Sequence, residues 1–270
     1  MIVGLLTYLL STTVLGLGNT IGYHRLLTHR SFVCSPWVRG FWVILGCMHS
    51  GSPLMWVGLH RLHHAKSDSS EDPHTPTKGF WYAHSGWIIG THHPLFSMLF
   101  AVSGFGTQGA FLVHDVRRIL GKNPPEWRSM CPDLIQSPLL RALDVPLVIP
   151  ALFVVQCVSL WFVGGSWGLL WLWAVHLSLT NGSWAVNSVC HWPGFGREDH
   201  PNRDDSRNVP WLSVFTFGES WHNNHHRYPR SAWHSLGGGA DLSWMVIRLM
   251  QRVGLAESVW LPKRYRTEAR

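Results

Sequence analysis

The stretch from residue 145 to residue 193 contains no Lys or Arg and is strongly apolar. A chain of this kind can cross a bilayer only as a helix or a closed barrel, because backbone polar groups find no water in the hydrocarbon layer. Residues 144–163 are long enough as a helix to cross a layer of roughly 30 Å. Gly164, Gly165 and Ser166 then turn the chain into residues 167–189. The sequence therefore predicts a helical hairpin made of two spans.

A third span is predicted at the N-terminus, over residues 2–22. This run has no basic n-region and no small-residue cleavage site, so it is interpreted as a retained span and not as a signal peptide. The composition agrees with a membrane protein, since 46% of the residues are hydrophobic and only 14% are charged. The predicted fold is an all-α integral membrane domain, residues 1–270, with about three transmembrane helices plus interfacial helices.

The basic residues predict the orientation of these spans. Lys and Arg lie outside the spans, and the positive-inside rule then places a helical cap, residues 60–143 and 190–270, in the cytosol. Residues 36–58 are expected to lie in the membrane interface or to re-enter the membrane, and residues 95–113 are expected to lie in the interface. The net charge of +7 does not indicate nucleic-acid binding, because the chain has no dense basic block. The expected location is the inner membrane of a bacterium.

Three short histidine clusters are the main functional signal. They are His24-Arg-Leu-Leu-Thr-His29, His60-Arg-Leu-His63-His64 and His222-Asn-Asn-His225-His226. Neutral imidazole is a good ligand for iron, copper, zinc and nickel. A lone pair of histidines is more often structural, whereas three clusters predict a polynuclear metal site on the cytoplasmic face of the membrane.

Helix geometry predicts how the clusters divide between metals. On a regular helix His60 and His64 share a face, and His63 lies about 100° from His64, so that one cluster can serve two metals. The cluster at residues 222–226 repeats this spacing. His24 and His29 lie about 140° apart on a regular helix, so they are expected either to serve different metals or to straddle a helix end.

A ninth ligand follows from a polar stripe at the end of the last span. Ser183, Asn187 and His191 are spaced by four residues and would bring His191 to the membrane face beside the clusters. Asn187 lies one turn deeper and could hold a metal-bound water or contact a neighbouring helix. Asp72 and Glu219 are candidates to orient ligand N–H groups, with solvated loop charges as the alternative.

Taken in order, these motifs resemble the membrane fatty acid desaturases of the stearoyl-CoA and cyanobacterial delta-9 type. The matching motifs are Gly22-Tyr-His-Arg-Leu-Leu-Thr-His29, Trp56-Val-Gly-Leu-His-Arg-Leu-His-His64, Asp72-Pro-His74, Gly79-Phe-Trp-Tyr-Ala-His-Ser-Gly-Trp87, Asn187-Ser-Val-Cys-His191 and Gly218-Glu-Ser-Trp-His-Asn-Asn-His-His226. The resemblance implies two iron ions bound by nine histidines, with Asn187 acting through water and no catalytic residue beyond the ligands. Trp56 and Ser183 would line an acyl tunnel. The nine ligands would be His24, His29, His60, His63, His64, His191, His222, His225 and His226.

The resemblance also implies the reaction. The expected enzyme is an O2-dependent desaturase that introduces a cis double bond, at delta-9, into a saturated acyl chain carried by CoA or by a membrane lipid. Gly58-Leu59 stands where the animal acyl-CoA enzymes carry an Arg-Asp pair, which favours the lipid. The chain has neither a GxGxxG motif after a strand nor a cytochrome b5 motif, so electrons would come from a separate ferredoxin, rubredoxin-like protein or cytochrome.

Three other functions are consistent with parts of the pattern. A di-iron lipid or alkyl hydroxylase would use the same scaffold, and a non-catalytic membrane metal-binding protein would keep the ligands without turnover. A polytopic transporter would need ionisable residues at mid-membrane on several spans, and only His176 meets that condition.

Overall fold

The computed structural model describes residues 2–122 and 126–268, and over these residues the chain is helical, with isolated β-bridges and no strand. This confirms the predicted all-α fold. The α-helices are α1 (Ile2–Leu17), α2 (Pro36–Ser50), α3 (Pro53–Lys66), α4 (Trp87–Ile89), α5 (Pro94–Val102), α6 (Gly106–Ile119), α7 (Pro138–Leu143), α8 (Val148–Ser188), α9 (His222–Arg227) and α10 (Leu242–Arg252). Two π-helices are π1 (Gly18–Thr28) and π2 (Tyr82–Gly86), and short 3₁₀ turns are Pro76–Lys78, Glu126–Met130, Val189–His191, Pro210–Leu212 and Lys263–Tyr265.

Two helical stretches are long and apolar enough to cross a membrane, Ile2–Thr28 and Val148–His191. The second is interrupted at Gly165, which has φ 57° and ψ −139°. A Cβ atom on Gly168 would overlap the carbonyl oxygen of Leu160, eight residues earlier, and residues so spaced on a straight helix are about 12 Å apart. The chain therefore reverses direction at Gly165, and α8 consists of two packed arms.

Helices α5 and α6 form a third apolar stretch, but they are bent by 103° at the break between them. Together they pass the same length and hydropathy criteria, so they count as a third span only if the bent pair is one span. At the break, the Trp173 indole N–H donates to the carbonyl of Ser103 over 3.0 Å, which attaches the bend to the second arm of α8. Residues 95–113 thus form a broken helix pair and not one straight helix.

The helix that carries the first histidine cluster, π1, packs unusually closely against α2. A Cβ atom on Gly18 would lie 2.5 Å from the backbone nitrogen of Gly46, and one on Gly22 would lie 2.7 Å from the carbonyl oxygen of Trp42. Two glycines four residues apart allow the backbones of two helices to approach. This contact between π1 and α2 fixes the position of His24.

Candidate metal centre

Five histidines from three parts of the chain converge on one point, with their ligand atoms all within 4.8 Å of one another. The Nε2 atoms form a chain of close approaches: 3.1 Å between His24 and His225, 2.9 Å between His225 and His64, and 3.0 Å between His64 and His60. The distance from His60 Nε2 to His29 Nε2 is 3.2 Å. We call these five residues the first group: His24, His29, His60, His64 and His225.

The π-helix explains why His24 and His29 belong to the same group. A π-helix closes hydrogen bonds between residues five apart, and the His29 N–H donates to the carbonyl of His24 over 3.1 Å. The two rings are therefore one π-turn apart, with centroids separated by 4.8 Å. The structure thus places both rings in one group, because π1 replaces the regular helix on which the expectation of different metals was based, and the alternative of a helix end agrees with His29 at the C-cap of π1.

Four further histidines converge beside the first group, again within 4.8 Å of one another. His63 Nε2 lies 3.3 Å from His226 Nε2, and the Nε2 atoms of His191 and His222 are buried without a hydrogen-bond partner. We call these residues the second group: His63, His191, His222 and His226. The two groups adjoin, since the rings of His63 and His64 have centroids 5.6 Å apart.

The two five-residue clusters divide between the groups as helix geometry predicts. His60 and His64 point into the first group from one face of α3, and His63 points into the second. In α9 the order is inverted, because His225 belongs to the first group while His222 and His226 belong to the second. All nine histidines expected from the sequence are thus brought into two adjoining clusters.

Carboxylates lie against the outer nitrogens of four of these rings, and three of them accept a hydrogen bond there. Asp72 accepts from His63 Nδ1 over 2.9 Å, Asp68 from His191 Nδ1 over 3.2 Å, and Asp204 from His226 Nδ1 over 2.7 Å. Glu219 lies 2.5 Å from His24 Nδ1. Asp72 and Glu219 were candidates for this role, but Asp68 and Asp204 were missed. Asp68 had the weak signal of lying four residues after His64, and Asp204 lies in a polar loop without any signal.

These hydrogen bonds show that the inward nitrogens are suited to a cation. An ionised carboxylate at Nδ1 holds the proton there, which leaves Nε2 of a neutral imidazole with a lone pair and no hydrogen. In His63 and His226 two such acceptors face each other at 3.3 Å. Two lone pairs at this distance repel unless a positive ion lies between them, so the donor set fits a metal ion in each group.

Burial keeps the imidazoles in the form that binds metals. Burial first, and the neighbouring imidazoles second, hold the pKa of His60, His64 and His226 well below its ordinary value. Burial alone would raise the pKa of Asp72, but the hydrogen bond from His63 and the adjacent imidazoles of His74 and His63 hold it below its ordinary value. At neutral pH, His60, His64 and His226 are therefore neutral imidazoles and Asp72 is an ionised carboxylate.

A buried ion network lies behind the first group. The guanidinium of Arg25 is fully buried and lies 3.3 Å from Glu219 and 2.9 Å from Asp241. His234 contacts the same Glu219 carboxylate at 3.3 Å and is 1% exposed. His234 is therefore a buried member of this network.

Two further histidines, His49 and His84, are buried outside the two groups. The ring of His49 packs against that of His176 with centroids 5.3 Å apart. His84 Nδ1 lies 2.9 Å from the Ser188 hydroxyl and its Nε2 lies 3.1 Å from the Asn181 side-chain oxygen, both on α8.

A cavity runs from the two groups along the second arm of α8. It reaches histidines of both groups, among them His24 and His222. Trp56, Ser183 and Asn187, which sequence reasoning had placed at a tunnel and a metal-bound water, all line it. Among the described residues, the Asn187 side chain has no hydrogen-bond partner, so the helix contact proposed as an alternative for it is not made.

The comparisons with known proteins agree with this geometry. The sequence model of the family described as "Fatty acid desaturase" matches residues 2–242. The chain belongs to the fatty acid desaturase family. It is 35% identical to the sn-1 stearoyl-lipid 9-desaturase of Anabaena variabilis, over 91% of this chain and 79% of that protein. It is 36% identical to delta-9 acyl-lipid desaturase 1 of Arabidopsis thaliana, over 93% of this chain and 73% of that one.

A third relative shows that the family is not restricted to one double-bond position. The palmitoyl-monogalactosyldiacylglycerol delta-7 desaturase of Arabidopsis thaliana is 32% identical over 91% of this chain and 59% of its own length. The predicted class of enzyme is confirmed: this desaturase is an oxidoreductase that acts on fatty acyl chains, and its substrate is a fatty acyl compound or lipid.

Proposed function

We propose that this desaturase uses two iron ions, O2 and electrons from a separate protein to introduce a cis double bond at delta-9 of a saturated acyl chain carried by a membrane lipid. The observation that carries the proposal is the pair of adjoining histidine groups at the end of a cavity. Iron bound there would supply, with O2 and two electrons, the oxidant needed to remove hydrogen from an unactivated methylene.

The ligands are proposed to divide as the groups do. The first group would hold one ion through five imidazoles, and the second group would hold the other through four imidazoles and a water that hydrogen-bonds to Asn187. The carboxylates at Nδ1 orient the rings and make them more basic, as outer partners of metal-bound histidines do. No other acid or base is needed to activate a methylene group.

The cavity walls would position the acyl chain. Trp56 lies one helical turn before His60 on α3, and Ser183 lies one turn before Asn187 on α8, so both would contact an acyl chain that enters the cavity next to the metals. A dry, shaped cavity selects one carbon by holding it at the metals and excluding water. Trp56 and Ser183 are therefore proposed to set the position of the double bond.

The carrier is proposed to be a lipid and not CoA. At Gly58, where the animal acyl-CoA enzymes carry an Arg, an added Cβ atom would overlap the side chain of Trp127. A long basic side chain that contacts CoA has no space at this position. Two of the relatives described above are named as acyl-lipid or stearoyl-lipid enzymes, which favours the same carrier.

The orientation of the chain in the membrane is proposed from the Lys and Arg residues, which lie outside the predicted spans. Three crossings, residues 2–22 and the two arms of α8, would put both histidine groups on the cytoplasmic face of a bacterial inner membrane. An electron donor such as a ferredoxin, rubredoxin-like protein or cytochrome would then reach the cap from the cytosol.

Expression of the chain in a bacterial host that lacks its own desaturase tests the proposal. Mass spectrometry of the lipids should show new cis-monounsaturated chains with the double bond at delta-9. In isolated membranes, deuterated stearoyl chains supplied as phospholipid should be converted, whereas the same chains supplied as CoA thioester should be converted only after transfer to lipid. Hydroxylated chains without monoenes would favour the hydroxylase and overturn the proposal.

Matched histidine variants test the ligand assignment. His63→Ala removes an inward-facing imidazole and should lower product at least about 100-fold, more than the loss of an outer partner costs. His93→Ala changes an exposed histidine outside both groups and should leave product unchanged. Full activity of the His63 variant would refute the assignment, and metal bound without any acyl-dependent turnover would favour the non-catalytic alternative.

A further inference from the structure

The carboxylates around the two histidine groups are unequally distributed. Three of the four rings in the second group have an aspartate at Nδ1, namely Asp68, Asp72 and Asp204. In the first group, within the described residues, only one of five rings has a carboxylate there, the ring of His24 with Glu219. The two groups therefore differ in the charge that surrounds their inward nitrogens.

The buried guanidinium of Arg25 increases this difference. Arg25 lies against both Glu219 and Asp241, so the three charges behind the first group sum to −1. No Lys or Arg in the described ranges forms an ion pair with Asp68, Asp72 or Asp204, so the charges behind the second group sum to −3. Asp72 is 1% exposed and the side chains of the other two are 10% and 11% exposed, which limits screening by salt.

A difference in the surrounding negative charge changes which oxidation state of a bound metal ion is favoured. Each carboxylate lies one imidazole ring away from the metal position and polarises that ring towards the metal. In a buried site the interaction is weakened little by solvent, so an ion with one more positive charge is favoured where the negative charge is greater. The second group should therefore prefer the ferric ion more strongly than the first group does.

We propose that Asp68, Asp72 and Asp204 make the two iron positions of this desaturase electronically unequal, with the second group holding the ferric ion when the pair contains one ferric and one ferrous ion. This inference rests on the proposed di-iron centre. In the step concerned, an external one-electron donor is oxidised by one electron and the ferric ion of the first group is reduced to ferrous, with no bond formed or broken. The three aspartates are positioning residues, because they act through the histidines.

A redox titration of the iron-loaded full chain in detergent tests the proposal. A viologen dye serves as the one-electron reductant, and EPR and Mössbauer spectra report the ferric and ferrous ions. In the unmodified protein, one ion should be reduced before the other. Reduction of both ions at the same potential would overturn the proposal.

Charge-neutralising variants assign the two potentials. Asp72→Asn should raise the ferrous-to-ferric ratio of the later-reduced ion at least tenfold at a fixed potential, equivalent to 59 mV for one electron. Glu219→Gln should instead shift the earlier-reduced ion. Glu71→Gln is the matched control, because Glu71 lies in the same loop as Asp72 but is exposed and paired with Lys66, and it should shift neither ion.

The same samples separate this inference from the proposed function. A shift of the earlier-reduced ion by Asp72→Asn, or equal shifts with Glu71→Gln, would overturn the assignment. If Asp72→Asn does not retain two irons per chain, Asp204→Asn replaces it in the comparison. Unequal potentials without any monoene product would overturn the proposed function and leave the inference standing. Monoene product with equal potentials would support the proposed function and overturn the inference.

Discussion

Arg25 is a fully buried charged residue, and its environment predicts a large effect on stability. Its guanidinium donates to the carbonyl of Ala232 over 2.9 Å and lies against the carboxylates of Glu219 and Asp241. Removal of one partner from a buried ion network leaves the other charges unpaired, which typically costs about 3–5 kcal/mol. Arg25→Met should therefore strongly lower the unfolding temperature, measured by thermal denaturation of chelator-treated protein in detergent so that metal loss does not contribute.

Arg30→Met is the matched control for this prediction. Arg30 forms an ion pair of 2.5 Å with Asp133, but its side chain is 62% exposed. Exposed ion pairs contribute at most about 1 kcal/mol, so this variant should unfold close to the unmodified temperature. Equal effects of the two substitutions would show that the network around Arg25 does not stabilise the fold.

At the scale of single residues, the sequence predicted the inward-facing histidines better than their outward partners. Eight of these histidines stand in three short clusters, and His191 ends a polar stripe on the last predicted span, so residue type and spacing identified all nine. Asp68 and Asp204 were missed because any nearby loop can supply a carboxylate to Nδ1, and sequence spacing does not restrict which loop does so. Arg25 was not singled out either, since its burial depends on residues 219–241, which are remote in sequence.

At the scale of helices, the contact between π1 and α2 predicts that two glycines are needed for metal binding. A Cβ atom on Gly22 would lie 2.7 Å from the backbone carbonyl of Trp42, which cannot move without displacing the helix. Gly22→Ala should therefore separate the helices and displace His24, which is two residues later. The expected result is less than half of the normal iron per chain, measured by elemental analysis of purified protein.

Gly4→Ala is the control for this substitution, because a Cβ atom on Gly4 would meet nothing within 4 Å. Both variants replace glycine by alanine in the N-terminal helix, so they gain similarly in helix propensity. The Gly4 variant should keep its full iron content. Normal iron content in Gly22→Ala would show that the close approach of π1 and α2 does not position the ligand.

The sequence predicted the helical features that depend on adjacent residues, but not those that depend on contacts with other helices. The turn at Gly165 was predicted, because two glycines between long apolar runs are a local signal. The π-helix was not, since its hydrogen bonds between residues five apart differ little in sequence preference from those of an α-helix. In the structure, Gly18 and Gly22 of this π-helix pack against α2. The spacing of residues in the sequence does not predict that contact.

At the scale of the whole molecule, the number of crossings determines whether the clusters can meet. His24 and His64 precede α8 and His191 follows it, so an even number of crossings must separate them. The reversal at Gly165 supplies two, one for each arm of α8. The bent pair α5 and α6 must then enter and leave on one face, or remain in the interface, because a complete third crossing would separate the ligands.

This arrangement predicts which face each loop occupies. With Cys34 and Cys157 replaced by Ser, the other three cysteines are buried and a new cysteine can be labelled selectively. Gly164→Cys, at the hairpin turn, should react with a membrane-impermeant maleimide in intact bacterial cells. Arg203→Cys, in the exposed loop of the cap, should react only after the cells are permeabilised, because the positive-inside rule keeps that loop in the cytosol. Labelling of both positions in intact cells would place them on one face and exclude the two-span hairpin, and the opposite pattern would place the metal groups outside the cell.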